Sequence, residues 1–330
     1  MSKLRYLERD LTVAGDETVL ECLLRHDVTV SSSCRSGVCQ SCLVQGGSLP
    51  PSSAQKGLKP ALVQRRFFLA CQCRAVESPE IVAEDVLPTF SSRVLEIVKV
   101  APAIFRVFIE RPDGFEFQSG QFVNVVRPDG LVRPYSIASC AGDKVIELHV
   151  ARVHEGEMST YLTQAPGVPV ELRGPLGECV YSGQQQEALL LVGTGTGLAP
   201  LLGVLRSALA AAHQGPIFLI HGATRIHDLY LRSELLGLTK QHANLHYKES
   251  VFNPSTQVGS LAAPSAEAGD SRFIDVAELL RRDYPRLMGH RVYLCGHPDL
   301  VRTLKKHCFL AGASMAMIHS DPFVSAHPVS

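Results

Sequence analysis

The spacing of hydrophobic positions changes twice along the chain, dividing it into three stretches. In the first, short apolar runs at Leu4 to Leu7 and Leu11 to Ala14 predict strands, and Asp16-Glu17-Thr18 predicts the cap of a helix over Val19 to His26. Glu77 to Pro88 has no period and reads as a linker. In the second, β-branched runs at Arg93 to Val100, Ile104 to Glu110, Gln121 to Arg127 and Val145 to Val153 alternate with turns such as Pro112-Asp113-Gly114 and Pro128-Asp129-Gly130. Short strands with regular turns predict a small antiparallel barrel. In the third, strands at Leu189 to Val192, Ile217 to His221, Ala243 to Tyr247 and Arg291 to Cys295 alternate with helices. The helices are expected from the glycine loop to about His213, over Leu229 to Leu236, from Asp275 to before Pro285, and over Pro298 to Leu310 with Gly312 as the stop. That alternation predicts a parallel sheet covered on both faces. The segment Asn253 to Ser271, rich in Ser, Ala, Gly and Pro, reads as a mobile surface loop. The expected architecture is multidomain α+β and α/β, with units at 1–85, 89–184 and 185–330.

Composition supports well-packed cores, with 45% hydrophobic residues, and 330 residues are too many for one core. Basic and acidic residues balance at 32 each, so no overall field recruits nucleic acid or an anionic membrane. Arg65-Arg66, Arg281-Arg282 and Lys305-Lys306 read as solvated surface, with docking of an acidic partner protein as the alternative. Ala188 to Leu205 is free of charge, but Gly193, Gly195, Gly197, Pro200 and Gly203 interrupt it, so it reads as a buried strand entering a glycine turn and not as a membrane span. The opening Met-Ser-Lys-Leu-Arg has no apolar signal region, which leads to the expectation of a reducing, cytoplasmic setting.

In such a setting the ten cysteines are not a disulfide framework. Cys34, Cys39, Cys42 and a later cysteine stand at C-x4-C-x2-C…C, the spacing that wraps a plant-type [2Fe–2S] cluster. The first three lie on a Ser- and Gly-rich loop whose backbone N–H groups can reach the sulfurs. Spacing leaves Cys71 and Cys73 open as the fourth ligand. A structural zinc is the alternative, although it usually takes two closely spaced pairs. Cys22, Cys140, Cys179 and Cys308 read as small buried apolar residues.

Arg133-Pro134-Tyr135-Ser136 combines a phosphate-pairing guanidinium, an aromatic face and a hydroxyl, the groups a flavin needs. Gly156-Glu157-Met158-Ser159-Thr160 reads as a turn into a helix N-terminus able to take a pyrophosphate, which favours FAD over FMN, or as a simple cap by Ser159. Gly193-Thr194-Gly195-Thr196-Gly197 lies between a strand and a helix, as a dinucleotide site requires. It is G-x-G-x-G, however, and no acidic residue ends the next strand, so an ordinary Rossmann dehydrogenase is not supported. Cys295-Gly296-His297-Pro298 falls where a strand leaves the sheet, the edge where such folds bind ligands. Ile318 to Phe323 reads as an apolar tail, and His242 and His246 fall on a strand, which argues against a metal there.

Taken in order, these motifs and the late Asp-Pro-Phe resemble the ferredoxin–NAD(P)+ reductase superfamily, and more narrowly the reductase components of bacterial multicomponent oxygenases with an N-terminal [2Fe–2S] domain. The resemblance spans essentially the whole chain. It implies a β-grasp ferredoxin domain holding the cluster on Cys34, Cys39, Cys42 and Cys71, an antiparallel β-barrel flavin domain, and a doubly wound parallel-sheet nicotinamide domain. It implies that Arg133, Tyr135 and Ser136 hold the FAD, that His149 and Val150 line its ribityl and adenine side, and that Met158, Ser159 and Thr160 meet its pyrophosphate. Gly193, Thr194, Gly195, Thr196 and Gly197 would take the nicotinamide dinucleotide, with Cys295, Gly296 and Pro298 beside it. Phe323 would shield the flavin, and Asp321 would assist hydride transfer electrostatically. NADH is the donor implied, while Thr224 and Arg225 could accommodate the 2′-phosphate of NADPH. The implied partner is a terminal oxygenase, with no nucleic acid and no membrane. A reductase for a sugar-deoxygenation enzyme (CDP-6-deoxy-glucoseen reductase-like) and a non-catalytic redox-sensing module are the alternatives.

Overall fold

The computed structural model describes residues 2–28, 30–84, 87–252 and 274–324. The segment read as a mobile loop, Asn253 to Ser271, lies outside the described residues.

The first domain is one mixed sheet with a helix packed on it. Strands β1 (Lys3–Tyr6) and β2 (Arg9–Thr12) form a hairpin, followed by α1 (Val19–Arg25), β3 (Leu43–Gly46), the short α2 (Pro60–Gln64), β4 (Phe67–Leu69) and β5 (Ile81–Glu84). Their order is β2-β1-β5-β3-β4. Helix α1 starts at Thr18, whose hydroxyl accepts from the Glu21 N–H while the Glu21 carboxylate accepts from the Thr18 N–H, a reciprocal capping box. Its Val19, Leu20, Cys22 and Leu23 enter the core with Phe67, Phe68 and Leu69. The linker expected over Glu77 to Pro88 is corrected here: β5 lies inside it and takes the sheet's central place between β1 and β3. Four residues are too few to show a period, so the strand is set by its partners.

The second domain is a six-stranded antiparallel sheet, β6 (Thr89–Lys99), β7 (Ile104–Glu110), β8 (Phe122–Val126), β9 (Val132–Ser136), β10 (Val145–Ala151) and β11 (Pro169–Leu176), ordered β10-β7-β6-β11-β8-β9, with α3 (Glu157–Leu162) before its last strand. A bridge from Ile137 to Leu148 brings the two ends together, so the sheet curls into a barrel around Phe115, Val123, Ile137 and Leu148. The strand β9 was not expected, because Pro134 sits in its middle; as the outermost strand, β9 tolerates a residue that cannot donate to the ladder.

The third domain is a five-stranded parallel sheet, β12 (Ala188–Thr194), β13 (Ile217–Ala223), β14 (Leu245–Val251), β15 (His290–Gly296) and β16 (Ile318–Pro322), ordered β14-β13-β12-β15-β16. Helices α4 (Leu198–Ala210), α5 (Arg232–Gln241), α6 (Val276–Asp283) and α7 (Pro298–Leu310) alternate with the strands, and separate apolar clusters lie on the two faces of the sheet. Helix α5 begins three residues later than expected, because Leu231 adopts a left-handed conformation (φ 57°), and it runs on through Gly237. The segment read as a tail, Ile318 to Phe323, is the strand β16 up to Pro322: Asp321 lies opposite Cys295 in register. The uncharged stretch Ala188 to Leu205 is β12 running into α4, and among the described residues no helix is long and apolar enough to cross a membrane.

Candidate redox and cofactor site

The cysteine loop is shaped to hold thiolates. Arg35, Gly37 and Gln40 all take positive φ (51°, 83° and 53°), and the resulting tight turns aim N–H groups inward. The N–H groups of Ser36 and Cys39 lie 3.4 and 3.3 Å from the Cys34 Sγ, the Cys34 N–H lies 3.4 Å from the Cys39 Sγ, and the Ser41 hydroxyl lies 2.9 Å from the Cys39 Sγ. Cys34, Cys39, Cys42 and Cys71 are all buried. They meet as two pairs, Cys34 with Cys39 and Cys42 with Cys71. The Cys39 thiol and the backbone donors pull Cys34 down to about 4, and the Cys42 thiol pulls Cys71 down to about 7, while the thiol that gives the hydrogen bond in each pair is pushed up. Among the described residues no group of three His, Cys, Asp or Glu is arranged around a single metal ion. Two buried thiol pairs, with N–H donors directed at the sulfurs of the first, fit a two-iron cluster held by four thiolates. Cys73 stands apart: its thiol donates to the Arg74 carbonyl, and burial raises it to about 11.

The loop is seated on the barrel by residues that sequence reasoning missed. The Asn124 side chain on β8 donates to the Cys39 carbonyl (3.1 Å), and Arg173 on β11 donates to the Ser31 hydroxyl (2.8 Å). A cavity of about 660 Å3 opens beside this contact, lined by Cys34, Val38 and Cys39 of the loop, Arg133 to Ser136 of β9, and Asp321 to Val324 of the chain's last described segment. All three domains therefore share one cavity.

Inside it, Ser136 is buried and its hydroxyl donates to Asp321 across 185 residues of sequence (2.9 Å). Burial raises the Asp321 carboxyl to about 6, although the Ser136 hydrogen bond pulls the other way. Arg133, Tyr135, His149, Met158 and Ser159 also line the cavity. Val150 does not: it points into the barrel core, as strand alternation requires when His149 faces the cavity. Thr160 lies exposed on α3, outside the lining. The first N–H groups of α3 have no partner within the helix, and Gly156 supplies no side-chain cap. Ser159 is not that cap; its hydroxyl donates to the Gly156 carbonyl (2.9 Å) and tightens the turn. Apolar walls with an arginine, a hydroxyl and a helix start fit a flavin with a pyrophosphate arm.

The glycine loop lies at the carboxyl edge of the parallel sheet. A side chain on Gly197 would meet the Cys295 carbonyl at 2.4 Å, and one on Gly296 would meet the Thr194 hydroxyl at 2.5 Å, so these glycines let the loop close on β15. Gly195 (φ 55°) faces open space, where a dinucleotide backbone fits. Phe323 is held by its N–H donating to the Gly296 carbonyl (2.8 Å), beside Cys295 and near Pro298 at the start of α7. Burial pushes the Cys295 thiol well up, and its sulfur lies 3.5 Å from that of Cys179.

A buried polar cluster links the barrel to the nicotinamide domain. Glu147 takes Arg106 (2.6 Å), Arg206 (2.8 Å) and His149 (2.9 Å), while His149 also meets the Tyr230 hydroxyl (2.8 Å). Burial alone would raise Glu147, but these partners outweigh it and hold its carboxyl well below the usual range. The signal for this cluster was present: Glu147 and His149 are two polar residues at i and i+2 in the otherwise apolar strand Val145–Ala151.

Three family models match in the order of the domains: a 2Fe-2S iron-sulfur cluster binding domain over 6–76, an oxidoreductase FAD-binding domain over 94–181 and an oxidoreductase NAD-binding domain over 191–306. The chain is 31% identical over 328 residues, 96% of each chain, to the ferredoxin–NAD(P)+ reductase component of the naphthalene 1,2-dioxygenase/salicylate 5-hydroxylase systems of a Ralstonia species. It is also 31% identical, over 333 residues and 96% of each chain, to the reductase component of the naphthalene 1,2-dioxygenase system of Pseudomonas putida. Among solved structures, an Amycolatopsis cytochrome P450 reductase superposes with a TM-score of 0.68 at 28% identity, covering 99% of this chain and all of the other. The order of the domains, the cofactor-shaped cavity and these full-length similarities lead to one conclusion: the chain belongs to the ferredoxin–NAD(P)+ reductase superfamily, as an iron–sulfur flavoprotein oxidoreductase of the kind that serves as a reductase component.

Proposed function

We propose that this enzyme accepts hydride from NADH and delivers single electrons to a terminal oxygenase in the cytoplasm. The observation that carries the reading is the shared cavity, lined at once by Cys34 and Cys39, by the β9 motif and by the Asp321 to Phe323 segment. Bound FAD supplies the conversion of a two-electron donor into one-electron steps, and the cluster supplies the one-electron outlet. Cys34, Cys39, Cys42 and Cys71 would hold the irons; Arg133, Tyr135, His149 and the start of α3 would hold the flavin; and Gly193 to Gly197 with Gly296 and Pro298 would hold the dinucleotide.

The residues around the nicotinamide position have distinct duties. Nicotinamide becomes cationic as it gives up hydride, so an ionised Asp321 nearby favours that change. Ser136 orients the carboxylate by its hydrogen bond, Phe323 covers the cavity, and Cys295, buried on the strand beside Asp321, stays neutral. An oxygenase is proposed as acceptor because full-length relatives are named as reductase components of naphthalene and terephthalate dioxygenases and as the electron transfer component of a toluate dioxygenase.

The absorption spectrum of the purified holoprotein tests the reading. Flavin bands with a broad visible iron–sulfur shoulder, both bleaching anaerobically on addition of NADH, are expected; a colourless protein after reconstitution with both groups would overturn it.

A further inference from the structure

Acidic and basic residues are equal in number overall, at 32 each, but they are unevenly placed. Between Asp27 and Glu77 there is no Asp or Glu, while six basic residues fall there: Arg35, Lys56, Lys59, Arg65, Arg66 and Arg74. The acids of the same domain that form ion pairs are committed elsewhere. Asp10 holds Lys3 and Arg5, Glu80 also reaches Arg5, Glu17 holds Arg25, and Asp16 holds Arg74, all on or next to β1, β2, the start of β5 and α1. Arg35, Lys56 and Lys59 are exposed, and they form no salt bridge among the described residues.

These three cations surround the cysteine loop. Arg35 directly follows Cys34. Lys56 and Lys59 line a second cleft, of about 510 Å3, together with Ser36, Gly37 and Gln72 of the cluster-bearing segments. The Gln40 side chain donates to the Gly57 carbonyl (2.9 Å), which pins the lysine turn to the cysteine loop. Two carboxylates also line the cleft: Glu178 on its barrel side, and Asp321, which is buried and held by Ser136. The rim of the redox loop is thus positive on a molecule with no net charge.

We propose that Arg35, Lys56 and Lys59 form the docking rim for the electron acceptor, and that the acceptor is an acidic protein carrying carboxylates around its own redox centre. The proposal rests on the reading of the enzyme as a reductase that delivers electrons to a protein. Unpaired surface cations contribute little to stability, but they raise the encounter rate with an oppositely charged partner, and that gain fades as salt screens it.

The test uses full-length holoprotein and two protein probes of opposite charge, acidic cytochrome b5 and basic cytochrome c, each reduced with NADH as donor. For wild type, the second-order rate with cytochrome b5 should fall as ionic strength rises, whereas that with cytochrome c should not. The double variant Lys56→Glu/Lys59→Glu should lose about tenfold of the cytochrome b5 rate at low salt and most of its salt dependence. The same variant should gain rate with cytochrome c. The neutral pair Lys56→Gln/Lys59→Gln should fall between, which guards against misfolding of the charge-reversed protein. Anaerobic bleaching of flavin and cluster by NADH needs no acceptor and should be unchanged in both variants. An unchanged cytochrome b5 rate and salt slope would overturn the proposal, as would capture by anionic lipid vesicles with no effect of the substitutions on that rate. Failure of wild type to bleach would instead overturn the reductase reading itself.

Discussion

The cysteine loop and the Ser136–Asp321 junction both line one cavity, and they are assembled in opposite ways. Three of the four thiols come from nine consecutive residues, and local turns at Arg35, Gly37 and Gln40 direct the N–H groups onto sulfur. At the junction, Ser136 comes from a barrel strand and Asp321 from the last strand of another domain, so their hydrogen bond exists only because two domains meet. The loop is therefore sensitive to the identity of single ligands, and the junction to anything that alters how the domains seat.

Removing a ligand should have the largest effect. Cys71→Ser is expected to abolish the visible iron–sulfur absorbance and reduce electron delivery to a one-electron protein acceptor to background, while NADH still bleaches the flavin. Cys73→Ser, whose thiol points away to the Arg74 carbonyl, should keep the cluster; the reverse outcome in iron analysis and absorbance would move the fourth ligand to Cys73.

Next comes the clamp that seats the domains. Glu147→Gln removes the buried carboxylate shared by Arg106, Arg206 and His149, leaving the two arginines only the more exposed Glu234, and should cost about 3 kcal/mol in denaturant unfolding, with looser flavin retention. The sign of the pH dependence follows from the direction of the shift. A carboxyl held below its ordinary value of 4.5 stabilises the fold fully above that pH and loses its contribution as the pH falls through the folded value, so wild type and variant should converge in acid.

The junction itself should respond more mildly. Ser136→Ala is expected to slow anaerobic flavin reduction by NADH about tenfold, equivalent to about 1.4 kcal/mol. In wild type this rate should rise with pH through about 6, as Asp321 ionises. Ser136→Ala removes a hydrogen bond that lowers the Asp321 value, so the break should move to higher pH, and Asp321→Asn should flatten it. A stopped-flow profile with the same break in all three proteins would remove Asp321 from hydride transfer. The smallest effect is expected away from both sites: Thr18→Ala removes the cap of α1 and should cost about 1 kcal/mol in unfolding while leaving reduction by NADH unchanged.

These differences track what could be read from the residues. The barrel strands β6, β7, β8 and β10, the glycine loop between β12 and α4, and α7 follow from period, turn residues and caps, which act over a few positions. The strands β3, β4, β5, β9, β11 and β16 were hidden, being short, interrupted by proline or taken for a tail, and they exist because neighbouring strands offer them a ladder. Glu147 and His149 showed as a polar pair in an apolar strand, but their partners Arg206 and Tyr230 lie in another domain. Asn124 and Arg173, which seat the cysteine loop, had no signal beyond ordinary polar residues on strands.

The sequence by itself determined the three-part architecture and the chemistry of each part, because cluster spacing, glycine turns and strand or helix period are properties of neighbouring residues. Only the tertiary structure decided that Cys34 and Cys39, the β9 motif and Asp321 face one cavity, and that Val150 and Thr160 turn away from it. The physical reason is that burial and domain seating depend on contacts between residues far apart in the chain, and those contacts give Asp321 its raised carboxyl and Ser136 its partner.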